Sequence, residues 1–212
     1  MRSPIPASAR FDIGACLGQD FAAFYPVGWS EKGRFAWIMR EEGSTANSYK
    51  FSYFVQDLVS GEMLWKKSNI LSLAEMQDNI EDSTTASFQK QLSAYGIVQA
   101  SDEVRVKKFP LPFGADTLNV QLDKLNGMYQ NKEVLREISL DLISKIRGTK
   151  RVFFRQNDPN SPAVQDIALC ASLRSPYEER LALILCKRYL GFNDVCVVRF
   201  QVIGVHMSDG WK

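Results

Sequence analysis

The chain contains a single histidine, His206, among 212 residues. That scarcity removes most histidine-dependent chemistry. His206 itself stands in the alternating apolar run Val202-Ile203-Gly204-Val205-His206-Met207, where a strand-end or surface imidazole is expected. No Gly-x-Ser-x-Gly elbow is present to raise a serine nucleophile, no Gly-rich run precedes a Lys-Ser/Thr pair, and no Gly-x-Gly-x-x-Gly opens a helix. Serine-triad hydrolysis and phosphate-cradling loops therefore lack support. The four cysteines, Cys16, Cys170, Cys186 and Cys196, show no Cys-x-x-Cys spacing. With one histidine to join them, a zinc site is not expected, and no motif calls for any other cofactor. No run approaches the ~18 consecutive apolar residues of a membrane span. The 26 Lys and Arg nearly cancel the 24 Asp and Glu, so no whole-molecule field draws nucleic acid or an anionic membrane.

What is present describes a folded, water-soluble body: 45% apolar and 24% charged residues suffice for a sizeable core, and the length fits one domain over 1–212. Residues 1–12 read as a flexible or appended lead-in. A strand-opening pattern occurs twice, as Trp29-Ser30-Glu31-Lys32-Gly33-Arg34-Phe35-Ala36-Trp37-Ile38 and as Arg174-Ser175-Pro176-Tyr177-Glu178-Glu179-Arg180-Leu181-Ala182-Leu183-Ile184. Each copy places a serine and a polar turn before a basic residue and then an apolar run, as a chain does when it turns back into a sheet. Lys50–Asp57 and Glu62–Lys66 flank Leu58-Val59-Ser60-Gly61 and predict a hairpin. Alternation predicts further strands at Leu118–Leu122, Ile138–Leu142, Arg151–Arg155, Asp166–Leu173, Arg180–Lys187 and Val195–His206. Between the two groups, Ser72-Leu73-Ala74-Glu75 fits a helix capping box, and Phe88, Leu92 and Tyr95 share one helical face that stops at Gly96. The expectation is a mainly β, antiparallel protein, open or sandwich-like with partial propeller-like blades, carrying one helical insertion at about 70–97.

Trp29–Ile38, Tyr53-Phe54-Val55-Gln56-Asp57, Leu92-Ser93-Ala94-Tyr95-Gly96-Ile97 and Arg174–Val205 resemble a family of uncharacterised bacterial proteins that are predicted to be secreted, with strand turns like those of TolB-type propellers. Lys32-Gly33 stands where Asp-Gly is usual there, and Tyr177-Glu178-Glu179 lacks the glycine. The resemblance implies export, to the periplasm or beyond, and supplies no catalytic residue. Ala7-Ser8-Ala9 has the small-residue spacing of a signal cleavage site, although no apolar segment precedes it; a cytoplasmic location is the alternative.

Two sets of residues stand out as candidate sites. Cys186 and Cys196 lie symmetrically about Gly191, so a hairpin centred there would place them opposite each other and permit a disulfide; two small buried thiols are the alternative. Arg147, Lys150, Arg151, Phe153 and Arg155 form a basic, aromatic surface that could hold single-stranded nucleic acid, against the plainer reading of a hairpin with one solvated face. Asp57, Asp116, Asp123, Asp141 and Asp166 are the acids open to a glycosidase-like pairing. No motif selects among them. The function expected is a non-enzymatic envelope or secreted β domain binding a protein or an envelope component through a strand edge or loop face. A hydrolase using acidic residues, and weak nucleic-acid binding through Arg136–Arg155, are the alternatives.

Overall fold

The computed structural model describes residues 11–12, 22–42, 47–72, 83–99, 107–129, 132–156, 164–190 and 196–212. The fold is mainly antiparallel β: three open sheets and, among the described residues, a single short helix. The strands are β1 (Phe11–Asp12), β2 (Ala22–Trp29), β3 (Arg34–Glu42), β4 (Ser48–Asp57), β5 (Met63–Ser72), β6 (Val98–Gln99), β7 (Leu111–Phe113), β8 (Asp116–Tyr129), β9 (Lys132–Ser144), β10 (Gly148–Gln156), β11 (Val164–Arg174), β12 (Arg180–Leu190) and β13 (Cys196–His206), and the helix is α1 (Ser83–Ala94). The chain divides into two compact units, one of Met1–Arg105 with Arg174–Arg180 and one of Val106–Leu173 with Leu181–Lys212.

In the first unit β1 to β5 run as a meander, with β6 pairing β2. The hairpin expected at residues 58–61 forms. Asp57 Oδ1 accepts the N–H groups of Val59 at 2.8 Å and Ser60 at 3.1 Å, and Gly61 takes the positive φ of 80° that closes the turn. Strand pleating gives the sheet two different faces. Ala36, Ile38, Tyr53 and Val55 lie on one, in the same core as Phe88, Leu92 and Ile97. On the other, Phe24, Trp37 and Phe54 stack across β2, β3 and β4, with ring centres 6.2 and 4.8 Å apart. The end of α1 follows from Gly96: with φ at +66° it lets its own N–H reach Ser93 O at 3.1 Å and the Ile97 N–H reach Leu92 O at 2.8 Å. These are the two bonds of a Schellman stop, and Ile97 and Leu92 share the core beside it.

One local expectation changes. Ser72 is the last residue of β5 rather than a helix cap; the rest of that box, 73–75, lies outside the described residues, and the helix begins at Ser83. The segment before the first strand-opening pattern is itself the strand β2, in which a register shift between Pro26 and Gly28 takes up the missing proline N–H at a bulge.

Both copies of the repeated pattern build the same corner. Ser30 N–H donates to Arg34 O and Ser175 N–H to Arg180 O, each at 2.9 Å, while the serine hydroxyl oxygens accept the N–H of Lys32 at 3.3 Å and of Tyr177 at 3.3 Å. The first corner is shorter because Gly33, at φ 73°, reverses the chain in fewer residues. Residues 174–180 belong to the first unit, where the buried Arg180 guanidinium donates to Leu58 O at 3.1 Å and to Glu178 Oε1 at 2.7 Å. Arg180→Ala leaves that buried carbonyl unpaired and is expected to cost about 1.5–3 kcal/mol in urea unfolding. A loss below ~0.5 kcal/mol would show that water replaces the guanidinium.

In the second unit the sheets β10-β9-β8-β7 and β11-β12-β13 share one core, a sandwich built from Leu118, Ile138, Leu140 and Leu142 on one side and Ile167, Leu181, Leu183 and Leu185 on the other. Full burial of each such side chain contributes roughly 1.5–3 kcal/mol. Cys170 and Cys186 are both buried. Strand β12 ends at Leu190 and β13 begins at Cys196, and the turn between them, 191–195, about which the Cys186–Cys196 pairing was expected, lies outside the described residues. The Cys196 side chain and Cys16 lie outside the described residues.

Candidate functional site

Strand β10 and Arg147 just before it carry the five residues singled out as a basic, aromatic surface, and the structure distributes them among three separate partners. Arg147 and Lys150 hold the C-terminal segment. Arg147 donates to Met207 O at 2.6 Å and lies 5.1 Å from the centre of the Phe113 ring, while Lys150 donates to His206 O at 2.6 Å, to Asp209 O, and to Asp209 Oδ1 at 3.3 Å. The Lys150 bond holds the Asp209 carboxyl below its usual range. Backbone bonds in both directions between Thr149 and Lys212, each 2.9 Å, finish the attachment. His206 belongs to the same corner, its Nδ1 2.9 Å from Ser208 Oγ.

Arg151 faces elsewhere. Its Nε and NH2 donate to the two oxygens of Asp141 at 2.6 and 3.0 Å, a bidentate pair that raises the guanidinium pKa further. Between Arg151 and Phe153 the register against β9 shifts, and beyond that bulge Phe153 packs against the sandwich core.

There Phe153 meets a residue the sequence reading did not select. On β12, Leu181, Leu183 and Leu185 point into the core, and period two places Lys187 next on the same face. Lys187 is 2% exposed, and its ammonium lies 5.2 Å from the centre of the Phe153 ring. Burial and, after it, the positive charge of Arg155 lower its pKa from 10.5 to about 8. Among the described residues no carboxylate forms an ion pair with Lys187 or Arg155. The signal was legible in Leu181-Ala182-Leu183-Ile184-Leu185-Cys186-Lys187, where the lysine falls in phase with the leucines.

The acids considered for a carboxylate pair each have structural work. Asp57 caps its turn, Asp116 accepts the Ser144 hydroxyl, Asp123 accepts Gln121 Nε2 at 3.0 Å, and Asp141 holds Arg151. Asp166 receives the Lys124 ammonium at 2.7 Å; burial raises its pKa, but that ammonium and the Ile167 N–H outweigh burial and bring it below its usual range. Among the described residues no cluster of three or more His, Cys, Asp or Glu is placed to hold a metal, and no helix is long and apolar enough to cross a membrane.

The first unit offers an open edge. β5 ends the strand order and pairs only with β4 among the described strands. Met63 and Ile70 are exposed along it, as are Lys66 and Lys67, and the strand contains no acidic residue. Lys66 lies over the Phe54 ring at 5.2 Å, and Lys67 Nζ is 3.5 Å from Ser87 Oγ of α1. Comparison with family models, with curated proteins and with solved structures finds no match to this chain.

Proposed function

We propose that this chain is a non-enzymatic β domain of the periplasm or secreted space that binds a protein partner by accepting an extended, acidic segment along β5. The observation carrying this reading is the edge itself. Among the described strands the ten-residue β5 pairs only with β4, and a strand at the end of a sheet presents backbone donors and acceptors to a further strand. Met63 and Ile70 supply apolar contact along the edge, and Lys66 and Lys67, with no acid beside them on the strand, favour carboxylates on the incoming segment. Export rests on the resemblance of Trp29–Ile38 and Arg174–Val205 to predicted secreted proteins.

The test is titration of the full chain with extended ten-residue peptides alternating Val with Asp or with Lys, followed by amide hydrogen exchange. Acidic peptides are expected to bind and to slow exchange in Met63–Ser72. Lys66→Glu combined with Lys67→Glu should weaken them at least tenfold, and Lys66→Gln with Lys67→Gln by less. Equal binding of acidic and basic peptides, or protection elsewhere with β5 unchanged, would refute docking at this edge.

A further inference from the structure

We propose that Lys187 and Arg155 form a binding site for one small oxyanion, a phosphate or carboxylate group, seated beside the Phe153 ring in the second unit. The site is independent of β5. Lys187 occupies a position that the pattern of β12 reserves for an apolar side chain, and the residue as a whole is buried. A buried ammonium needs acceptors, since burial of an unpaired charge is strongly unfavourable. Phe153 offers only the face of a ring at 5.2 Å, a weak substitute. The neighbouring charge is of the same sign: Arg155 acts on Lys187 as a repelling cation, and among the described residues neither has a carboxylate partner.

Elsewhere in the same unit the protein treats its cations differently. Lys150, Arg151 and Lys124 each reach a carboxylate within 3.3 Å. Lys187 and Arg155 are thus a cationic pair on β12 and β10 to which no described residue brings a counter-charge, and Phe153 closes one side with an apolar surface. An oxyanion suits the pair because a guanidinium fork and an ammonium together satisfy several oxygen lone pairs at once. A bound anion would also favour the charged form of Lys187 and so raise its pKa.

The test uses the full chain in phosphate-free, low-salt buffer, with 13Cε-labelled lysine followed by NMR while inorganic phosphate and, separately, acetate are added. Saturable binding of either is expected, and the anion that binds more tightly identifies the class. On saturation the Lys187 titration midpoint should move upward from about 8. Lys187→Met and Arg155→Met should each weaken binding at least tenfold, and Arg155→Lys by less. Saturable binding unchanged in Lys187→Met would overturn the assignment, as would failure of both anions to bind. A third result would also overturn it: if Asp158→Asn or Asp194→Asn lowers the Lys187 midpoint in the anion-free buffer, an internal carboxylate fills the position instead.

Discussion

Lys187→Met is expected to stabilise the protein by about 3 kcal/mol at neutral pH, an unusual direction for a substitution at a buried site. The magnitude follows from the difference between the ordinary lysine pKa of 10.5 and the value of about 8 in the folded chain. The folded state binds this proton less tightly, so between about pH 8 and 10.5 the unfolded chain carries more protons and stability rises with pH. Below pH 8 the full cost of the buried ammonium is present, and it is relieved as pH climbs through that window. Met keeps the length and apolar stem while removing the charge. Urea unfolding in phosphate-free buffer at pH 6, 8 and 10 should show wild type gaining on the variant as pH rises, with most of the difference gone at the highest pH. Parallel pH profiles would mean that the ammonium is solvated or paired.

Phe88→Ala is expected to cost about 3–5 kcal/mol and to release α1 from the sheet. The ring is fully buried, 5.1 Å from the Tyr53 ring and 5.8 Å from that of Trp65, centre to centre. A helix of twelve residues has little stability of its own in water and depends on such packing. Amides of Ser83–Ala94 should therefore exchange far faster in the variant, while those of β9 and β12 keep their protection. Phe88→Leu retains most of the buried area and should lose less than half as much. Unchanged exchange in α1 would place its stability elsewhere.

These outcomes depend on features of unequal visibility in the sequence. The corner at 57–62 was legible because Asp57 and Gly61 act locally, as was the end of α1 at Gly96. Strand β2 was not, since Pro26 interrupts the alternation and pairing with β3 survives only through a bulge in β2 itself, between Pro26 and Gly28. The basic surface on β10 was visible as a composition but not as a site. What separates Arg151 from Phe153 is a shift against β9, and what occupies Arg147 and Lys150 is a segment some sixty residues away in the chain. Lys187 shows the reverse case: its phase with the leucines is local, but its neighbour Phe153 comes from another sheet. Charge inside a leucine phase was a signal, and composition alone concealed it.

The first unit takes in residues 174–180, and Arg180 bonds there to Leu58. During synthesis the ribosome must therefore deliver most of the protein before its own N-terminal portion can be completed. Until then the Leu58 carbonyl awaits a donor not yet translated, and a fragment ending at Arg105 would remain permanently in that unfinished condition.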